Sequence, residues 1–112
     1  MEMDWVKGFN ASITVCDTDG VILQLNDQAA AVFQNDGGLD LIGKNALDCH
    51  PEPARSKLLD ILKNPRTNVY TIEKNGKKKM IYQSPWFEGD KFAGIVEISL
   101  PLPEEVPNFI RK

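Results

Sequence analysis

Between a strand-rich beginning and a strand-rich end lies the run Glu52 to Leu62, in which Leu58, Ile61 and Leu62 recur at helical spacing with Ala54 one turn earlier. A helix with one apolar face must lay that face on something, and the partner this chain offers is a sheet. Just upstream stand Leu41-Ile42-Gly43-Lys44 and Asp48-Cys49-His50-Pro51. Pro51 suits a first helical turn, where its missing N–H costs nothing, and Asp48 can cap from just outside, so the helix is expected to start close to His50. A sheet covered on one face by helices is a natural place for a small internal cavity.

The flanking segments carry strand patterns. Ala11 to Cys16 alternates Ile13 and Val15 against Ser12 and Thr14, Asp17-Thr18-Asp19-Gly20 supplies a turn, and Val21 to Leu25 alternates again. Asn26-Asp27 caps a helix over Gln28 to Gln34, ended by Asn35-Asp36-Gly37-Gly38, and Leu39 to Leu47 reads as short helical turns. After the long helix, Asn64-Pro65 is the stop. Strands then follow over Asn68 to Lys74, Lys79 to Phe87 and Phe92 to Leu100, the first two joined by Asn75-Gly76, the strongest hairpin signal in the chain. Trp5, Val6 and Phe9 suggest a short helical turn with an aromatic face before the first strand. The expected fold is α+β: a five-stranded antiparallel sheet with short helices and one longer helix on one face. Its divisions are a helical cap over residues 1–10, the domain over 11–100 and a proline-rich tail over 101–112.

A length of 112 residues, 42% hydrophobic and 26% charged, suits one domain with one core. Net charge is a modest -3, and the one dense basic cluster, Lys74 with Lys77-Lys78-Lys79, sits at the hairpin tip, where lysines discourage edge-to-edge pairing. Nucleic acid usually needs a basic face rather than one tip, so none is expected as a partner. No apolar run is long enough for a signal peptide or membrane span, and two cysteines make no disulfide framework, so a cytoplasmic chain is expected.

The order strand, strand, short helices, long helix and three strands, with Asp19-Gly20 in the first hairpin and Asn26 closing the second strand, resembles the PAS domain family over roughly Phe9 to Leu100. Within it, "LIGKNALDCHPEPARSKLLDIL" is similar to the branch in which a Cys-His-Pro element opens the long helix, often beside hemerythrin-like domains. The resemblance implies a ligand pocket between sheet and helices and a role in sensing or protein association. Signalling members usually continue from the last strand into a helix that drives an output domain, whereas here Pro101, Pro103 and Pro107 forbid that helix. Any output is therefore expected to pass to a separate signalling partner, and Trp5, Val6 and Phe9 are expected to find a symmetric mate in a homodimer.

The candidate pocket residues are Ile13, Val15, Leu58, Ile61, Leu62, Tyr82, Ser84, Val96 and Ile98. Tyr82 and Ser84 share a strand face and each brings a hydroxyl that needs a partner if buried. Met80 and Trp86 share their parity while Ile81 and Gln83 take the other, so which face points inward stays open at this level. Cys49 and His50 invite a metal or haem reading, but adjacent side chains seldom hold one ion in common, zinc needs three or four ligands, and haem-binding relatives place their axial histidine inside the long helix. The expectation is that His50 and Cys49 pack and hydrogen-bond to fix the helix start; a redox-responsive Cys49 thiol is the second reading. Cys16 is read as a small buried hydrophobe. No metal is expected, and neither haem nor flavin is favoured. His50 has no triad partner, and Asp17, Asp19, Asp36 and Asp40 fall at turns, so the chain is read as non-catalytic.

Overall fold

The computed structural model describes residues 3–112. Met1 and Glu2, the start of the expected N-terminal cap, lie outside the described residues. The elements run α1 (Trp5–Gly8), β1 (Ser12–Cys16), β2 (Ile22–Leu25), α2 (Asp27–Val32), α3 (Ala46–Cys49), α4 (Ala54–Lys63), β3 (Asn68–Lys74), β4 (Lys77–Glu88) and β5 (Lys91–Pro101), with 3-10 turns at Gln34–Asp36 and Gly38–Leu41. The five strands form one antiparallel sheet in the order β2-β1-β5-β4-β3. Asn75 and Gly76 both have positive φ, 56° and 76°, as a two-residue turn matched to strand twist requires.

The helices cover one face of the sheet. Their shared core with it joins Cys16, Ile22, Leu25, Ile95, Ala29, Leu41, Ala46, Leu58, Ile61 and Leu62. Apolar burial of this kind is the main favourable term in folding. Asn26 stitches the N-terminal half together from inside: its Oδ1 accepts from the amides of Ile13 (2.9 Å) and Ala29 (3.0 Å), and its Nδ2 donates to the carbonyl of Ala11 (2.7 Å). The Ile42-Gly43-Lys44 segment closes the free edge of β2, with Ile22 N donating to Lys44 O and Gly43 N to Ile22 O, both at 2.8 Å.

The long helix starts later than the Pro51 position expected from its sequence. Asn45, not Asp48, is the N-cap at this point, accepting from Leu47 N at 2.9 Å, and it opens the separate turn α3. His50 and Glu52 each precede a proline, which pushes a residue out of the helical region; His50 is extended at φ -105°, ψ 127°. Only after Pro53 does α4 begin, with Glu52 accepting from Ser56 N at 2.8 Å in its first turn. Cys49 and His50 therefore close a short helix rather than open the long one.

Candidate functional site

Strand pairing decides what faces the helices. Val15 stands opposite Val96, Ile13 opposite Ile98, Tyr82 opposite Ile98 and Ser84 opposite Val96. Alternation places these six on one face, whereas Thr14, Cys16, Gln83, Ile95 and Glu97 occupy the other, against the helices. The six sheet residues expected in the pocket, Ile13, Val15, Tyr82, Ser84, Val96 and Ile98, therefore lie on the outer face and do not line it. Tyr82 is 40% exposed there, while Ile13 is buried on the same side. The cause is an outer face as apolar as an inner one, so hydrophobicity did not discriminate between them. Leu58, Ile61 and Leu62 do face inward and are buried in the core.

A cavity of about 210 Å³ lies between the inner face and the α2–α3 segment, with Ile22, Leu25, Phe33, Leu41 and Ala46 as its apolar wall and Thr14, His50 and Glu97 as its polar one. Asp36, Cys49 and Pro51, all exposed, also border it. A void of about 20 Å³ bounded by Gln83, Leu58 and Ile95 adjoins it, sharing Thr14, Ala46, His50 and Glu97. On the other side of Gln83 an open groove of about 660 Å³ runs between α4 and β3, past Lys57, Asn68 and Tyr70.

A polar ladder crosses three strands under these spaces. Asn68 Nδ2 donates to Gln83 Oε1 and Gln83 Nε2 donates to Glu97 Oε1, each at 2.8 Å. Gln83 is 4% exposed, and a buried amide of this kind is stable only when bonded. The Glu97 carboxylate accepts and cannot donate, which fixes which way the Gln83 amide points. Burial pushes the Tyr70 phenol up from its ordinary pKa, and the negative charge of Glu97 pushes the same way.

His50 Nδ1 lies 2.7 Å from the Ala46 carbonyl, which can only accept; Nδ1 therefore carries a proton, and Nε2 is the ring nitrogen left free of that bond. Cys49 is exposed and its Sγ is 3.7 Å from the Asn45 carbonyl, at the C-terminal end of a four-residue turn rather than at a helix N-terminus. Cys16 is buried, and burial raises its pKa. Among the described residues no three His, Cys, Asp or Glu side chains converge as a metal site would need.

Sequence reasoning missed Thr14, Gln83, Glu97, Asn68 and Tyr70. Polar residues in mid-strand read as solvent-facing; the signal that could have found them is that Gln83 and Glu97 stand in matched register on adjacent central strands.

Solved structures share this architecture. The chain is similar to a sensory box sensor histidine kinase from Vibrio cholerae, at 17% identity over 85% of this chain and 84% of that one, with a TM-score of 0.64. The Aer2 receptor of Vibrio cholerae, a dual PAS-haem oxygen sensor, aligns at 18% identity over 88% and 99%, TM-score 0.60. The PAS domain of BvgS from Bordetella pertussis aligns at 18% identity over 88% and 82%, TM-score 0.63. Neither a protein-family model nor a curated protein matches the sequence. The fold is that of a PAS domain.

Proposed function

We propose that this chain is a small-molecule-sensing PAS module that hands its signal to a separate partner protein. The observation that carries the reading is the partly open cavity whose polar wall, Glu97, is hydrogen-bonded through Gln83 to Asn68 on the edge strand β3. A ligand that competes for Glu97 would loosen the Gln83 amide and so alter β3, whose outer edge is free to meet a partner. Binding without catalysis is the reading for this site: the protonated nitrogen of His50 is engaged by Ala46, and Glu97 is bonded to Gln83. A cavity of about 210 Å³, below the roughly 300–1,000 Å³ typical of ligand pockets, favours a ligand smaller than a haem macrocycle or a tricyclic flavin.

Native mass spectrometry of gently purified protein, beside a variant with Ala46→Leu filling the cavity, tests this. A retained small molecule in the wild type that Ala46→Leu loses supports it; no retained mass and no ligand-induced stabilisation by any compound of a metabolite library count against it.

Association is the second reading, and it is compatible with the first. Trp5 is 59% exposed and packs edge-on to Phe9 with ring centroids 5.7 Å apart, an aromatic face on α1 suited to a symmetric copy. Light scattering of the full chain and of a Trp5→Ala, Phe9→Ala variant tests the homodimer. A cytoplasmic site of action fits an exposed free Cys49 thiol. No helix among the described residues is long and apolar enough to cross a membrane.

A further inference from the structure

The polar groups around the cavity share one property: they carry no fixed positive charge. Glu97 and Asp36 bring carboxyl groups, Thr14 a hydroxyl and His50 the ring nitrogen that Ala46 does not engage, while no lysine or arginine lines the space. The ion pairs among the described residues are Lys7 with Asp27, Asp60 with Arg66 and Glu73 with Lys78, so Glu97 has no protein cation to answer it. Its hydrogen bond from Gln83 occupies one oxygen. The rest of the lining is largely aliphatic and aromatic, through Ile22, Leu41 and Phe33.

We infer that the cavity binds a small organic cation, a primary or secondary amine with a compact apolar body, whose ammonium group pairs with Glu97. This rests on the ligand-sensing reading above and narrows it to a chemical class. A charge entering a largely apolar space needs a countercharge and hydrogen bonds there, and Glu97 with Thr14 supplies both. A carboxylate or phosphate ligand would meet a like charge and no cation. Size points the same way: at about 30 Å³ per water in the liquid, 210 Å³ corresponds to roughly seven waters, which suits a branched alkylamine better than a nucleotide.

The test uses three molecules of one shape: isopentylamine, isopentanol and isovalerate, each titrated into the isotopically labelled full chain near neutral pH and followed by amide chemical shifts. Isopentylamine should give saturable shifts at Thr14, Ala46 and Glu97, with affinity about tenfold or more above isopentanol, the margin of a charge-assisted bond over a neutral one. Isovalerate should give none. Glu97→Gln keeps an acceptor for Gln83 Nε2 and should bring isopentylamine down to the level of isopentanol. Should that variant fail to fold, Ala46→Leu, with the cavity filled, should abolish the amine shifts, and undiminished amine binding in it would overturn the inference. Isovalerate binding tightest, or amine and alcohol binding alike to the wild type, would overturn the inference while leaving a ligand-sensing pocket in place. Silence from all three probes, together with no retained small molecule in native mass spectrometry, would remove both.

Discussion

Trp86 reaches across β5 to hydrogen-bond β1: its indole Nε1 donates to the carbonyl of Cys16 at 3.0 Å. Gly94, paired with Trp86 on β5, makes the close approach feasible. At φ 144° it holds a conformation that side chains rarely adopt, and a Cβ there would overlap the Cys16 carbonyl and stand 2.8 Å from Asp17 Cα. Gly94→Ala should therefore cost about 3 kcal/mol or more, through strain and overpacking together. Trp86→Phe should cost about 1 kcal/mol through the lost bond. Urea denaturation of both variants checks the order, and a Gly94→Ala protein as stable as wild type would refute the assigned contact.

Much of this fold was legible because local signals agreed. Asn75-Gly76 placed the β3–β4 turn, Asn26 announced a cap, and Leu58, Ile61 and Leu62 announced the buried face of α4. Sheet order is another matter, since pairing β1 with β5 joins residues some eighty positions apart, and no local signal reports it. Pro51 reads as a helix opener, but α4 starts later because Pro53 two residues on acts against helix at Glu52. The pocket wall was misplaced for a different reason. Both faces of β4 and β5 carry apolar residues, and the inner face is marked by its polar pair, Gln83 and Glu97, which alternation alone assigns to solvent.

Ile61 is 0% exposed on α4, whereas Lys78 is half-exposed on the hairpin with only a 3.7 Å ion pair to Glu73. Ile61→Ala should cost about 2–5 kcal/mol by leaving a cavity in the core. Lys78→Ala should cost about 0–1 kcal/mol, as exposed pairs do. Equal denaturant midpoints for the two would mean that α4 presents a different face.

Asn26 is 1% exposed and spends both donors and its acceptor on three segments, with Phe9 O a further acceptor at 3.3 Å. Were it merely an N-cap, Asp would serve as well. Because its Nδ2 faces the Ala11 and Phe9 carbonyls, Asn26→Asp should be destabilising by about 2 kcal/mol or more, setting an acceptor against two acceptors. Thermal melts showing Asp equal to Asn would reduce the residue to a cap.

The Asp60 carboxyl is held below its usual pKa, first by the Arg66 side-chain hydrogen bond and then by that of Asn64. A carboxyl that binds its proton more weakly when folded stabilises the fold above the ordinary carboxylate range, and that contribution is lost as pH falls through the folded pKa. Asp60→Asn should accordingly lower the melting temperature near neutral pH, with the gap to wild type closing in acid. A gap that stays constant with pH would show that the loss is of packing and not of charge.

The two thiols should separate cleanly by reactivity. Cys49 is exposed at the border of the cavity, while Cys16 is buried in the core, its ionisation opposed first by burial and further by the nearby charges of Asp17 and Glu97. The thiolate is the reacting species, so a buried thiol of raised pKa is doubly protected. Iodoacetamide should label Cys49 in the native protein and reach Cys16 only through unfolding, at a rate that rises with denaturant as the open population does. A small molecule seated beside Cys49 should slow its labelling without changing that of Cys16 under native conditions. Peptide mass mapping that found both cysteines modified at similar rates in the folded protein would place Cys16 outside the core and undo the packing of β1 against the helices.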